Sequence, residues 1–298
     1  MIAPAGWVAQ PNHTPASRNQ AAATGRSPSR ANYLGGLFGW VWLAVIVLPI
    51  YYIVLTSLRP RRDYFTENPL SWPSDPTLAS YAKVLQNQFG RYFFNSLTVT
   101  LVSVATILVV SLMASYVVVR NRRWAARRLF QAFLLGIAIP IQATIIPVYY
   151  LILKLGLYDT LWALILPSIA FAIPISVLIL TNFLRDIPKE LFESMTIDGA
   201  GEMRVLRSLV LPLTRPALVT VGIYNALQVW NAFLFPLVLT QSASTRTIPL
   251  SLWSYQGEFT MDVPAVLAAV VLSVMPILAA YIVGRRHLVS GLTAGFGK

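Results

Sequence analysis

The sequence has no cysteine, so neither a disulfide framework nor a thiolate metal site is available to it. Its two histidines, His13 near the start and His287 near the end, do not make a metal cluster. Charge is scarce as well: 11% of the 298 residues are Asp, Glu, Lys or Arg, against roughly a quarter in soluble proteins, while 56% are hydrophobic. A Gly-rich phosphate loop, which needs Lys and a hydroxyl residue at fixed spacing and a helix behind it, is missing. The closing Gly295-Phe296-Gly297-Lys298 lacks both the first glycine at the required distance and the hydroxyl. Such a chain is no ATPase, no metalloenzyme of the histidine or cysteine type, and not a protein whose solvent is water.

The apolar residues fall in runs of about the 20 residues that a helix needs to cross a hydrocarbon core. Six runs are expected as spans, at about 35–57, 93–119, 129–153, 162–184, 216–240 and 264–284. The net charge of +12 raises the question of nucleic acid, and the placement of the charges answers it. With the N-terminus in the cytoplasm, 16 of the 23 basic residues lie inside, among them Arg120, Arg122, Arg123, Arg127 and Arg128. The inside segments carry a net +11 and the outside segments +1. The positive-inside rule then puts both termini in the cytoplasm and leaves no basic face for nucleic acid, although the Arg120 to Arg128 cluster suits anionic lipid. Residues 1–32, rich in Ala, Pro, Ser and Asn, read as a disordered cytoplasmic tail and not as a signal peptide. Residues 33–298 form one membrane domain.

The outer connections are too short to fold alone. Leu58 to Tyr92 holds Pro60, Pro69, Pro73 and Pro76 and reads as turns with short helical pieces, and Trp253 and Tyr255 in the last loop suit the membrane interface. Prolines recur inside the runs at Pro140, Pro147, Pro167, Pro174, Pro236 and Pro276, either as hinges or as the ordinary enrichment of proline in membrane helices. No Asp, Glu, Lys or Arg lies deep in any run, which disfavours a proton- or sodium-coupled carrier and suits a neutral solute moved by an outside energy source. On the fifth run Tyr224, Gln228, Asn231 and Phe235 are spaced by four, three and four, one face of a continuous helix. Amides and aromatic faces at that spacing serve either a hydroxyl-rich cargo or hydrogen bonding between two membrane subunits.

The most informative stretch is Pro188 to Pro212 on the cytoplasmic side. Pro188 suits a first helical position, Glu190 and Glu193 complement the helix start, and Leu191, Phe192 and Met195 recur at helical spacing. Gly199 and Gly201 flank Ala200 and stop the helix. A second amphipathic stretch of Met203, Leu206, Leu209 and Val210 runs on to Pro212. Helices this short need a docking partner to be stable.

This stretch resembles the cytoplasmic motif of permease subunits in bacterial binding-protein-dependent ATP-binding cassette importers. There Glu-Ala-Ala, three residues, Gly, nine residues and Ile-x-Leu-Pro follow in order; here Glu193, Gly199, Leu209, Leu211 and Pro212 stand at those positions. Ser194 and Met195 replace the two alanines and Leu209 the isoleucine, while Asp198-Gly199-Ala200 matches the carbohydrate class. Leu155 to Leu161, Trp230-Asn231 with Phe233 and Pro236, and the ending from Ser290 are similar to the subunit type of the maltose importer's second permease, although Ala232 replaces a frequent acidic residue. The resemblance implies an all-α, six-span permease of a sugar importer in the bacterial inner membrane. Its coupling residues would be Glu193, Ser194, Met195, Asp198, Gly199, Ala200, Gly201, Leu209 and Pro212. It further implies a second permease subunit, two ATPase subunits that hold ATP and Mg, and an external solute-binding protein, with no cofactor or metal on this chain. Permeases for amino acids, phosphate or peptides share the motif, and a self-contained secondary carrier is the alternative from another class.

Overall fold

The computed structural model describes residues 33–121, 123–255 and 261–294. The tail expected over residues 1–32, Arg122 and the end of the chain from Gly295 lie outside them, as does the side chain of His287. The described residues are helices and turns without a strand. The chain divides into two units, Met1–Val47 and Leu48–Lys298. Of the first, the described part is the start of helix α1 (Tyr33–Ser57), apolar on all sides and with Pro49 inside it.

In the second unit α2 (Ala79–Val84) leads through a kink, where Asn87 and Gln88 leave the helical region (Gln88 φ +58°), into the long α3 (Gly90–Arg120). Helix α3 packs along α6 (Trp162–Arg185), and the two run parallel: Val99 joins Ala163 to Ile165 in one cluster, Leu112 and Tyr116 join Leu180 and Leu184 in another. Serines make this contact close. Ser96, Thr100, Ser103, Ile107, Ser111 and Ser115 succeed one another every three or four residues on the buried side of α3, and small side chains let membrane helices approach. Ser115 Oγ donates to the Val177 carbonyl at 3.2 Å. Helix α10 (Arg215–Trp230) runs antiparallel to this pair, with Ala217 and Val221 in the second cluster and Val229 in the first. After the one-turn α12 (Ile248–Ser251), helix α13 (Val263–Ala294) packs on α2 and α10 through Ala265, Ala268 and Ala269.

Three helical stretches are long and apolar enough to span a bilayer: Leu34–Ser57, Trp162–Arg185 and Ala79–Arg120, the last kinked at Asn87 and Gln88. Two of the six expected runs are not continuous. The run expected at 129–153 is α4 (Trp124–Ile137), a 3-10 turn (Ile141–Thr144) and α5 (Ile145–Lys154), bent by 95°. Pro140 lacks the N–H a continuing helix needs and drives Ile139 out of the helical region, whereas Pro147 sits in the first turn of α5, where no donor is missed. The run expected at 216–240 is α10, a break at Asn231 to Phe233, and α11 (Leu234–Leu239). Pro236 lies four residues past Ala232, whose carbonyl it could neither clear nor satisfy in a continuous helix. Pro167, Pro174 and Pro276, by contrast, lie inside unbroken helices.

The connections gather at two ends. At one end Lys83 of α2 pairs with Asp262, Asn95 Nδ2 donates to the Ser244 and Arg246 carbonyls, and Asp159 meets Gln241 to Thr245. Arg59, fully buried there, ties the loop between α1 and α2 together through Glu67 at 3.1 Å and the Asn68 and Ser71 carbonyls at 2.6 Å each. At the other end lie the C-termini of α3 and α6, the start of α4, and the segment from Lys189 to Leu213.

Candidate coupling segment and transport cavity

The segment after α6 folds as helix α7 (Lys189–Ile197), the one-turn α8 (Glu202–Val205), a π-helical turn over Leu206–Val210 and the short α9 (Leu211–Leu213). Pro188 is the residue just before α7, extended at ψ 136°, one position earlier than expected. Helix α7 stops by hydrogen bonding that Gly199 makes possible. Its φ of +71° lets its N–H reach the Thr196 carbonyl at 3.0 Å and the Ala200 N–H reach Met195 at 2.9 Å, the paired bonds of a Schellman end. Gly201 stands in ordinary extended backbone (φ −69°) with open space around it, so only the first glycine is conformationally required.

One side of this segment is fastened to the spans. Phe192 is buried among Leu112, Tyr116, Leu180 and Leu184, and Met195, Ala200, Leu206 and Leu209 pack around it with Val205 and Val210. Met195, where the family motif has alanine, therefore points into its own protein. Arg120, at the end of α3, lies over the Phe192 ring at 5.2 Å and pairs with Glu202 at 3.5 Å, and the Tyr116 hydroxyl donates to the same carboxylate. Arg120 and Tyr116 of α3 thus hold α7 and α8 between them.

The other side is bare. Glu193, Ser194, Asp198, Gly199, Gly201 and Pro212 are exposed, with the Ser194 hydroxyl turned back to the Leu191 carbonyl at 3.0 Å. Ile197 is 86% exposed and Met203 53%, and Leu191, expected to share the inner face with Phe192 and Met195, is also exposed. The expected coupling residues therefore divide into an inner set, Met195, Ala200 and Leu209, and an outer set that forms a projecting surface.

Between α4, α6, α10 and α11 lies a cavity of about 350 Å³. Tyr224 and Gln228 of α10 and Phe235 of α11 line it, together with Ser168 and Phe171 of α6 and Gly136 of α4. Among the described residues no charged one lines it. Tyr224 and Gln228 are exposed, without a hydrogen-bond partner among the described residues. Phe235 is buried and tilted against Phe171 at 5.7 Å. Asn231 is not part of the lining: it ends α10, and its Nδ2 donates to the Leu227 carbonyl at 2.8 Å. The four-residue stripe is thus interrupted. Three of its members meet at the cavity because α11 folds Phe235 back, and the fourth closes the helix.

Two kinds of residue escaped sequence reasoning. Asn225, adjacent to Tyr224 and so off the chosen face, is buried and donates to Ser176 Oγ and the Val221 carbonyl, both at 2.9 Å, fixing α10 to α6 beside the cavity. An Asn in an apolar run is the available signal. Glu202 counted only as a topological charge and Arg120 only as that and as part of a basic cluster suited to lipid, and nothing in their spacing announces that they meet.

At the opposite end Asp159, in the loop after α5, has φ +58° and accepts hydrogen bonds from the Thr245 hydroxyl at 2.6 Å and the Gln241 and Ser242 amides at 2.8 and 3.0 Å. Burial pushes its carboxyl up, but these donors outweigh that and hold it down to about 2.

An apolar all-helical body with a neutral, aromatic-lined cavity at one level and a projecting segment at its end defines a membrane transport subunit. The sequence matches the family described as "Binding-protein-dependent transport system inner membrane component" over residues 76–293, and the chain belongs to that family. It is 40% identical over 262 residues to a putative ABC transporter permease protein of Caldicellulosiruptor, covering 88% of this chain and 95% of that one. It is 32% identical over 271 residues to the diacetylchitobiose uptake system permease protein DasC of Streptomyces coelicolor, covering 88% and 98%. The fold is similar to that of a chain of a bacterial ABC transporter that imports the acidic polysaccharide alginate, with a TM-score of 0.74 at 20% identity and coverage of 87% and 98%. The chain is thus a permease subunit of a binding-protein-dependent importer, a transport component and not an enzyme.

Proposed function

We propose that this chain forms one half of the transmembrane pathway of an ATP-driven carbohydrate importer in the bacterial inner membrane. The observation that carries it is the two-sided coupling segment: an inner face clamped by Arg120 and Phe192 onto α3, and an outer face that presents Glu193, Ser194, Ile197 and Asp198. Movement imposed on the outer face reaches the spans through α3 and α6, and α6 walls the cavity. The outer face suits a groove on an ATPase subunit, one per permease half, and those subunits hold ATP and Mg. A second permease completes the pathway, and an external binding protein delivers the solute to the end that holds Asp159 and Arg59. The inside excess of basic charge supports cytoplasmic termini and a cytoplasmic coupling segment.

Carbohydrate cargo is supported by the neutral cavity, where the Tyr224 hydroxyl and the Gln228 amide meet hydroxyl groups and Phe171 and Phe235 meet the apolar face of a sugar ring. The relatives named for sugar uptake support the same class. Co-reconstitution with the partner permease, ATPase and binding protein tests the proposal. Sugar uptake is expected only with ATP and all four components. Uptake by this chain alone in an ion gradient would make it a secondary carrier, and transport of amino acids or phosphate in place of sugars would overturn the cargo.

A further inference from the structure

A second cavity, of about 650 Å³, opens at the end of the molecule that carries the coupling segment. Arg120, Arg123, Arg127, Arg185 and Lys189 line it, against one carboxylate, Glu193. Part of this charge is already engaged: Arg120 with Glu202 and Phe192, Arg185 over the Phe130 ring at 5.1 Å. Arg123, Arg127 and Lys189 have no ion-pair partner among the described residues. Gathering like charges around a cavity is unfavourable unless an anion occupies it.

The depth of the cavity identifies the anion. It lies where α3 and α6 leave their apolar stretches and α4 enters its own, and Val118 and Phe130 give it an apolar wall beside the cationic one. Trp124, at the first turn of α4, is 68% exposed and carries Arg128 stacked on its ring at 4.5 Å, the placement of an interfacial anchor. A polar head with a chain attached fits that combination better than a free ion. We propose that this pocket binds the phosphate of an anionic phospholipid from the leaflet facing the coupling segment, so that lipid bridges the α3–α4 turn to α7. Because Lys189 and Glu193 belong to α7, the bound headgroup stiffens the base of the coupling segment. This last step rests on the coupling reading above; the binding itself does not.

The test uses the complete importer in nanodiscs of zwitterionic phosphatidylcholine with increasing phosphatidylglycerol, and native mass spectrometry counts retained lipid. Wild type is expected to retain phosphatidylglycerol selectively, and Arg123→Gln with Arg127→Gln to bind it about 30-fold more weakly, each basic residue near an anionic surface contributing about fivefold. Arg91→Gln, at the opposite end, is the control and is expected to match wild type. Arg127→Lys, which keeps the charge, guards against a folding defect and is expected to retain binding. Equal retention by wild type and the double variant overturns the proposal. So does displacement of the lipid by inorganic phosphate, which would make the ligand soluble, and so does loss of ATPase subunits from the variant in both lipids alike, which would make the pocket a protein contact. Selective binding with no effect of lipid on ATPase stimulation would leave the site standing and remove the coupling reading from it.

Discussion

Replacing Gly199 by valine probes the hinge on which the coupling segment turns. The backbone there is left-handed at φ +71°, and a Cβ built on it meets no atom within 4 Å. Any penalty is therefore conformational, not steric. For an L-residue the left-handed region costs about 1–2 kcal/mol, more for a β-branched side chain, so the population of the correctly ended α7 falls about five- to thirtyfold relative to glycine. Asparagine tolerates the region and should lose far less. Both substitutions leave the packed side untouched, since Phe192, Met195 and Ala200 keep their neighbours. The assay is ATP hydrolysis by the reconstituted importer with and without the loaded binding protein, with uptake followed in parallel. Gly199→Val is expected to keep basal hydrolysis and lose stimulation and uptake; Gly199→Asn should recover most of both. If Val and Asn behave alike, or if stimulation survives in the valine variant, the left-handed turn is not what shapes the contact with the ATPase.

Other outcomes follow from the same geometry. Arg120→Leu removes both the Glu202 pair and the Phe192 contact, and is expected to uncouple hydrolysis from uptake, whereas Glu202→Gln, which keeps the ring contact, should do so only in part; the ratio of sugar moved to ATP consumed reads this. Gly136→Val should push α4 off α6 beside the cavity, since even a Cβ at that position would lie 3.0 Å from Cγ of Pro174, a rigid ring; the overpacking is about 1–3 kcal/mol and uptake should fall while the complex assembles. Gln228→Leu should lower uptake and raise the half-saturating sugar concentration, while Asn231→Leu should act on α10 stability, visible as a lower melting temperature in detergent. Asp159, held at about 2 against an ordinary 3.8, stabilises its contact with the Gln241 to Thr245 loop above about pH 4 and ceases to do so as pH falls towards 2. Asp159→Asn should flatten that part of the stability profile measured by thermal unfolding.

The membrane class, the charge asymmetry and the motif from Glu193 to Pro212 were legible because each follows from composition or from residues close in sequence. Gly199 was legible for a local reason, since one residue's φ ends the helix. The breaks were harder. Pro140 and Pro174 look alike in sequence, yet Pro140 bends a span by 95° and Pro174 lies in an unbroken helix against Gly136; neighbouring helices decide which carbonyl stays satisfied. The stripe on the fifth run is interrupted for a related reason: its spacing assumed a helix continuing through Asn231, and Pro236 prevents it, although Tyr224, Gln228 and Phe235 still meet at the cavity. Arg120 was invisible in its real role because its partners, Phe192 and Glu202, lie more than 70 residues along the chain and are brought there by the parallel packing of α3 and α6.

That packing has a mechanical side. Along the seam between α3 and α6, Thr100, Ser103, Ser111 and Thr181 are buried with hydroxyls that hydrogen-bond to nothing in the described residues, leaving Ser115 to Val177 as the direct polar link between the two helices. A surface of small side chains with so few directional bonds is held together by dispersion between closely fitted atoms. The register of α3 on α6 is therefore set by the shape of the serine ridge more than by hydrogen bonds, so that a bulky side chain anywhere along the ridge would act on the whole seam.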